Sequence, residues 1–346
     1  MMTQEENNLL TQTARSTPCG ELMRRYWQPA ALSEELSSEK PLAVQLLGEE
    51  LVLFRDGEGK PALIGRYCAH QGVDMIYGHV EKDGIRCMYH GWLFDACGKV
   101  IVRGSWVEGG EKRMEVGQPA YRCVELGGVI LTYMGPGDPP ELPLHEFLTG
   151  PAENRAVSKI LLNGNFLQAE ENGINPAEFS LLEVESTDFG LRVVTTQKLE
   201  AGKQHIRVTS FIYPSLIAFN DPAAGEGYSV HWHVPIDDRT YAKYVFLFNR
   251  ERPLTDEVRN SIQVASNTES QDVSLDRAHK AFVAPDNPLL AARSFLLKAI
   301  REIGEDREPP HILRALDTIN APSIFVLSET IPADTNLQDY LKNLEK

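Results

Sequence analysis

Long hydrophobic runs, an excess of basic residues and a rich supply of cysteine are all missing from this sequence of 346 residues. The longest apolar stretches, such as 129–133, are far shorter than the roughly 18 residues that a membrane-spanning helix needs. Lysine and arginine number 34 against 49 aspartate and glutamate, and this formal net charge of −15 argues against a protein that coats nucleic acid. We therefore expect neither a membrane nor a nucleic acid as a partner.

Cysteine is too scarce and too scattered to form a disulfide scaffold, and its usage is typical of a reducing compartment. The five cysteines are Cys19, Cys68, Cys87, Cys97 and Cys123. The first residues contain no basic region followed by an apolar run, so no secretory signal is expected. With 42% hydrophobic residues, the chain can bury more than one core, and we predict a globular cytoplasmic protein.

Secondary-structure patterns divide the chain into three parts and predict an α+β, mainly β fold. Residues 1–40 form an N-terminal segment, helical over 6–26, that is expected to pack on the C-terminal domain. Short β-rich runs between glycine-containing turns predict a small antiparallel β-sandwich or barrel over 41–137. Residues 138–346 alternate longer strands with helices near 166–171, 255–265 and 288–304, which favours an antiparallel sheet covered by a C-terminal helix.

The strongest chemical signal is a repeated pairing of cysteine with histidine. Cys68 and His70 are separated by one residue, and Cys87 and His90 follow after a gap of sixteen residues, with two residues between them. Two thiolates and two imidazoles can bind tetrahedral zinc, or a [2Fe–2S] cluster in which one iron takes both cysteines and the other both histidines. Zinc knuckles typically place two to four residues within each pair. The single residue between Cys68 and His70 therefore favours the iron–sulfur interpretation, with zinc as the alternative.

The residues around this motif resemble those of a known family. ThrProCysGlyGluLeuMetArgArgTyrTrpGlnPro at 17–29, HisGlyTrpLeuPheAsp at 90–95 and ValProIleAspAsp at 234–238 are similar to the phthalate-dioxygenase-type Rieske non-haem iron oxygenase α subunits. The resemblance covers nearly the whole chain. It implies an N-terminal Rieske domain, a C-terminal helix-grip (START-like) domain and a trimer. In such trimers one subunit's cluster passes electrons to its neighbour's mononuclear iron, and a reductase or ferredoxin supplies them.

The sequence departs from this family at the iron that activates oxygen, which is normally held by two histidines and one carboxylate. Glu178 and Glu183 stand at the two histidine positions, and Asn175 stands where an acidic residue usually bridges to the neighbouring subunit. One alignment puts Val264 at the third ligand position, whereas a shifted alignment keeps a carboxylate there in Asp272. The resemblance therefore implies a [2Fe–2S] cluster on Cys68, His70, Cys87 and His90, without a mononuclear Fe(II).

Three hypotheses of function remain. The first is a cluster-carrying α-type subunit that works beside a catalytically complete homologous α subunit on an aromatic or similar small molecule. The second is a self-sufficient oxygenase with an unusual metal site, built from His231 and His233, which share one face of a predicted strand, with Glu178 or Glu183. The third is a non-enzymatic scaffold or ligand-binding subunit.

Overall fold

The computed structural model of the chain describes residues 2–102, 116–174, 180–187, 189–265, 287–312 and 324–344. Two short helices begin the fold, α1 (Gln4–Thr11) and α2 (Pro18–Arg24). Thr3 heads a capping box on α1, and Thr17 caps α2, whose first residue is a proline. The continuous helix predicted over 6–26 is therefore two helices, because Thr17 and the proline start the second one afresh.

Ten strands of the N-terminal half form a large and a small antiparallel sheet. The strands are β1 (Gln28–Leu32), β2 (Leu42–Leu46), β3 (Glu49–Arg55), β4 (Pro61–Gly65), β5 (His79–Glu81), β6 (Gly84–Arg86), β7 (Leu93–Phe94), β8 (Val100–Val102), β9 (Ala120–Leu126) and β10 (Val129–Tyr133). The large sheet has the order β1-β10-β9-β4-β3-β2, and the small one β5-β6-β7-β8. Phe54 and Ile64 of the large sheet share a buried core with Ile85 and Phe94 of the small sheet. This is the predicted antiparallel sandwich.

Eight further strands form a second, longer sheet in which every neighbouring pair is antiparallel. They are β11 (Arg155–Asn163), β12 (Ser180–Thr187), β13 (Gly190–Leu199), β14 (Lys203–Ile212), β15 (Leu216–Phe219), β16 (Gly227–Pro235), β17 (Thr240–Asn249) and β18 (Leu327–Pro332). Their order is β11-β17-β16-β15-β14-β13-β12, and β18 pairs with β14. We call this sheet the C-terminal sheet.

Five helices accompany the C-terminal sheet in the described part of the chain. They are α3 (Glu146–Thr149), α4 (Phe166–Ile174), α5 (Asp256–Ala265), α6 (Asn287–Gly304) and α7 (Leu337–Leu344). Ile174 of α4 and Ala292 of α6 lie in one buried cluster with Phe211 and Ile217 of the sheet. Because α4 and α6 cover the same face of the sheet, the predicted α+β class and helix-grip arrangement are confirmed.

The N-terminal sandwich and the C-terminal sheet meet through segments that carry the family resemblance. The N–H groups of Leu47 and Gly48 donate hydrogen bonds to the carbonyl oxygens of Pro235 and Ile236 at 3.0 and 2.7 Å. Asp238 accepts a hydrogen bond from the N–H of Thr13 at 2.7 Å. Tyr26, in the segment 17–29, stacks on Tyr213 with ring centroids 5.9 Å apart, so the segments 17–29 and 234–238 both contribute to the contact with the C-terminal half. Strand β1 belongs to the N-terminal segment 1–40. It pairs with β10 and forms one edge of the large N-terminal sheet.

No helix in the described ranges is long and apolar enough to cross a membrane.

Candidate metal centre

Two loops, one between β4 and β5 and the other between β6 and β7, have the same pattern of backbone hydrogen bonds. In the first loop the N–H of Cys68 donates to the carbonyl of Val73, and the N–H of Gly72 donates to the carbonyl of Cys68, both at 2.8 Å. In the second loop Cys87 is bonded in the same way to Trp92 and Gly91, at 2.8 and 3.1 Å. In each loop the backbone therefore turns back over the five residues that follow the cysteine. The histidine is the second of these five residues in the first loop and the third in the second loop.

A glycine completes each frame in a backbone conformation that other residues rarely adopt. Gly72 has φ 70° and Gly91 has φ 71°, in the left-handed region where a side chain is strained. The glycines therefore allow the chain to turn back after the histidine. Their positions explain why the motif is surrounded by glycine in the sequence.

The two loops bring all four predicted ligands together. The Nδ1 atoms of His70 and His90 lie 3.0 Å apart, while both cysteines are almost completely buried. Burial raises the pKa of the Cys68 thiol, and the adjacent Cys87 thiol raises it further, whereas the backbone N–H of His70 lowers it. Two sulfurs on the inside and two ring nitrogens on the outside are the donors that a [2Fe–2S] cluster with mixed ligands needs, so the residues present fit the cluster.

Arginine–carboxylate pairs brace both loops from outside. Arg66 forms a two-pronged contact with Asp74, with its closest approach at 2.7 Å, across the base of the first loop. Arg86 pairs with Glu81 and also donates to the carbonyl oxygen of Gly91 at 2.7 Å. Such outer contacts hold ligand-bearing loops in place and commonly tune a metal centre.

The geometry favours iron–sulfur over the zinc alternative. A structural zinc ion needs about four donors that converge on one point. In the described part of the chain, no group of three or more His, Cys, Asp or Glu side chains is arranged to hold a single ion. A two-iron cluster asks for only two protein ligands on each iron, and the paired loops offer that number.

Comparison with known proteins agrees with this geometry. Residues 26–105 match the family described as the Rieske [2Fe-2S] domain. This chain contains a Rieske domain. The matched region includes Cys68, His70, Cys87 and His90, together with the pair of loops that carries them.

Relatives of the chain beyond the Rieske domain are named as oxygenase subunits. The chain is 35% identical over 270 residues to phenoxybenzoate dioxygenase subunit alpha of Ectopseudomonas oleovorans, covering 67% of this chain and 65% of the relative. It is 32% identical over 292 residues to the phthalate 4,5-dioxygenase oxygenase subunit of Pseudomonas putida, covering 71% and 64%. The chain therefore spans slightly less than two thirds of the length of these relatives.

The fold has a counterpart among solved structures. Pseudomonas putida CBB5 NdmA with caffeine superimposes with a TM-score of 0.65 at 19% identity, over 82% of this chain and 93% of NdmA. The superposition extends well past the Rieske domain. It therefore supports the architecture of the C-terminal sheet as well.

Buried polar groups line the α4 face of the C-terminal sheet. Glu170 of α4 contacts His233 of β16, with Oε1 and Nδ1 2.6 Å apart, and both side chains are buried. The next residue, Glu171, forms an ion pair with Arg293 of α6 at 2.7 Å, also buried. Burial raises the pKa of Glu170, and burial together with Lys243 and His233 lowers the pKa of His231.

Of the residues whose identities predict the loss of the mononuclear iron, Glu183 and Val264 lie in the described part of the chain. Glu183 lies on β12, which is separated from β16 by three intervening strands, so roughly 19 Å of sheet lies between Glu183 and His231 or His233. Asn175, Glu178 and Asp272 lie outside the described residues, and Val264 belongs to α5. The structure therefore does not bring Glu183 to the two histidines, whereas Glu178, the other carboxylate of the second hypothesis, lies outside the described residues.

Sequence analysis did not identify Glu170, Glu171 and Arg293 as members of a buried cluster. The available signal was a pair of adjacent acids among the apolar residues of the helix Phe166–Ile174, together with an arginine far along the chain in the amphipathic helix α6. Buried acids are rarely left without a partner. Their partners could not be assigned because they are distant in sequence.

Proposed function

We propose that this chain is an α-type subunit of a Rieske oxygenase that holds a [2Fe–2S] cluster through Cys68, His70, Cys87 and His90 and serves electron transfer. We further propose that its own mononuclear Fe(II) site is lost. In this proposal, a homologous and catalytically complete α subunit receives the electrons, and a reductase or ferredoxin supplies them. The observation that carries it is the pairing of the two matched loops, with the Nδ1 atoms of His70 and His90 3.0 Å apart and Cys68 and Cys87 buried behind them.

The surface around the loops supports a role in electron transfer. When bound, the cluster supplies one-electron transfer at a potential that the two imidazole ligands raise. His70 and His90 stand at the outer end of the site, with Tyr67, Met88 and Tyr89 beside them in sequence and 44%, 58% and 59% exposed. Exposed apolar side chains that cluster at one place commonly mark an interaction surface. A partner docked on this surface would lie close to the histidine edge of the cluster.

The contacts of the α4 face support the loss of the mononuclear site. The two positions where the family resemblance implies histidine ligands are glutamates, and carboxylates without imidazole favour hard cations over Fe(II) poised for oxygen. The nearby acids of α4 are paired within the protein: Glu170 with His233, and Glu171 with Arg293. These pairings hold the face together through the chain's own groups.

The substrate class follows from the relatives rather than from this chain's geometry. Two relatives are named for phenoxybenzoate and phthalate, and the solved structure for caffeine. We propose that the complete assembly oxidises an aromatic or similar small ring compound. The trimer implied by the family resemblance is part of the same proposal.

The deciding experiment is the metal and sulfide content of the chain after anaerobic purification. We expect about two irons and two acid-labile sulfides per chain, as a Rieske cluster alone requires. About three irons for two sulfides would contradict the loss of the mononuclear site. The purified chain with a reductase and NAD(P)H should then reduce its cluster but oxidise no aromatic compound until a complete homologous α subunit is added.

A self-sufficient oxygenase is the second candidate, and one observation favours it. His231 and His233 lie on the face of β16 that meets α4, with ring centroids 6.1 Å apart, and Glu170 already contacts one of them. If these groups held a third iron, His231→Ala would remove both that iron and the oxidation of substrate. If the chain only transfers electrons, the same change should leave two irons per chain and unchanged cluster reduction. Failure of any reductase to reduce the cluster would instead favour a scaffold subunit.

A further inference from the structure

A cavity lies at the junction of the N-terminal segment, the linker between the two halves and the C-terminal sheet. Tyr26 and Trp27 border it on one side, the segment 140–145 on another, and Leu216 and Trp232 of the sheet form its floor. Its cavity volume is about 70 Å³, inside an opening of about 630 Å³ that includes open solvent. By this measure one water molecule needs roughly 10–15 Å³, so the cavity has room for a small molecule.

The sheet separates this cavity from the histidine face described above. Trp232 and His231 are neighbours on β16, and successive side chains of a strand point to opposite faces. His233 contacts α4, whereas Trp232 borders the cavity. At Trp232 the cavity therefore lies on the opposite side of β16 from His231 and His233, while Tyr213 at its wall contacts Phe295 of α6.

One wall of the cavity is a stack of three rings. Tyr26 and Tyr213 lie with centroids 5.9 Å apart and planes at 20°, and Tyr213 and His311 lie 5.0 Å apart at 29°. Near-parallel aromatic rings present a flat surface, on which another planar ring packs well. The wall favours a flat ligand over a branched one.

Three residues that border the cavity carry buried polar atoms without hydrogen-bond partners. They are Nδ1 of His145, the hydroxyl of Tyr213 and Nε1 of Trp232, and the side chains are 5%, 5% and 1% exposed. Buried polar atoms are nearly always satisfied, and leaving one unpaired is costly. The indole N–H can only donate, so its missing partner must be an acceptor. A ligand in the cavity with an acceptor oxygen or nitrogen would supply it.

The described residues around the cavity disfavour an anionic ligand. No lysine or arginine is among the described residues that border it, and Glu141 is an exposed carboxylate on its border. Burial lowers the pKa of His145 to about 4, so this imidazole is neutral near pH 7. None of the described residues that border the cavity would compensate the charge of a buried carboxylate.

We propose that this cavity is a binding site for a small, planar, uncharged aromatic molecule with a hydrogen-bond acceptor. The site lies on the opposite face of the C-terminal sheet from His231 and His233. It goes beyond the proposed function, since it requires neither electron transfer nor an oxygen-activating iron in this chain.

Calorimetric titration of the cluster-loaded full chain with acetophenone tests the site, and benzoate serves as the charged probe of similar size. We expect acetophenone to bind and benzoate to bind at least about tenfold more weakly. Trp232→Phe removes the indole N–H donor and Tyr213→Phe removes the hydroxyl donor, and each variant keeps an aromatic ring at its position. Each should weaken acetophenone about fivefold, the effect of losing one hydrogen bond. Leu216→Trp, which fills the floor, should abolish binding.

His231→Phe is the matched control, because it alters the neighbouring position on the other face of β16. It should leave acetophenone affinity unchanged, and circular dichroism with the visible absorbance of the cluster checks that each variant is folded. Three results would overturn the proposal. These are no acetophenone binding at millimolar concentration, equal binding of benzoate, or binding that is lost in His231→Phe but unchanged in Trp232→Phe and Tyr213→Phe. The titration measures no turnover, so its outcome is independent of the proposed electron transfer.

Discussion

The two cysteine–histidine loops and the α4 face of the C-terminal sheet both gather polar, ligand-type side chains, but they do so in opposite ways. In the loops, the four donors lie within 23 residues of sequence and their ring nitrogens face one another at 3.0 Å. On the α4 face, Glu170 and Glu171 are each matched to a partner from far along the chain, His233 and Arg293. The loops present their donor atoms to a cofactor. On the α4 face, by contrast, the acids are paired with other side chains of the protein.

The difference shows that clustering of ligand-type residues does not by itself indicate a metal site. What distinguishes the loops is that each backbone frame closes on itself through bonds between Cys68 and Val73 or Cys87 and Trp92, independently of the side chains. The α4 face depends on the side-chain pairs themselves. Substitutions in the two regions should therefore have different consequences.

The largest effect is expected from Cys87→Ser, which removes a buried thiolate ligand. A hydroxyl is a poor substitute for a thiolate on iron, so essentially all iron and sulfide should be lost, as measured by metal analysis and visible absorbance. Cys97→Ser, which changes an exposed cysteine, should keep the full content. Glu170→Gln, which changes the acid of the α4 face that contacts His233, should also keep it. A loss of one iron per chain in Glu170→Gln would show that the α4 face binds metal after all.

Arg293→Ala should have the largest effect on folding stability. It leaves Glu171 buried without its cation, which typically costs about 3–5 kcal/mol, and urea denaturation measures it. Replacing both residues by leucine should recover most of this loss, because no buried charge remains. Arg307→Ala, at a pair in which both side chains are about 60% exposed, should change little. Cluster content should stay unchanged in folded Arg293→Ala, and its selective loss would contradict the independence of the two regions.

Acid should destabilise the folded protein through the buried imidazole of His145. The pKa of His145 is about 4 in the folded protein against 6.5 for an ordinary histidine. Below pH 6.5 this histidine therefore binds a proton in the unfolded chain but stays neutral in the folded chain. The free energy of unfolding decreases until the pH reaches about 4. Between pH 7 and pH 5 this amounts to about 2 kcal/mol. His145→Phe should show a smaller loss than the parent over that interval in urea titrations, and identical losses would refute the assignment.

Gly72→Ala should produce the smallest effect. The added methyl group meets no atom within 4 Å, so only the positive φ opposes it, at a cost of about 1 kcal/mol. Gly59→Ala is the matched control, because it has φ 80° and equally open space but lies away from the loops. Thermal unfolding should show similar destabilisation of both variants. Only Gly72→Ala should lower cluster occupancy, and equal occupancy in both would argue that the loop frame tolerates distortion.

Strand periodicity and turn residues predicted much of the fold. The helix over 287–304 begins one residue before the expected range of 288–304, and the longer strands expected after residue 138 form the C-terminal sheet. Strands β12, β15 and β18 were not identified from the sequence. They are short or weakly patterned, and pairing with long neighbours defines them. The pairing of β18 with β14 joins residues more than 100 positions apart, which local patterns cannot predict.

The sequence by itself determined the chemistry of the Rieske loops, because ligand type, spacing and the glycines that close each frame are all local. Only the tertiary structure decided how the C-terminal half uses its polar groups. Glu170 meets His233, Glu183 lies four strand spacings away, and Trp232 borders a cavity that His231 does not share. The physical reason is that burial and pairing depend on which distant segments the sheet and helices bring together, and on which face of a strand each side chain lies.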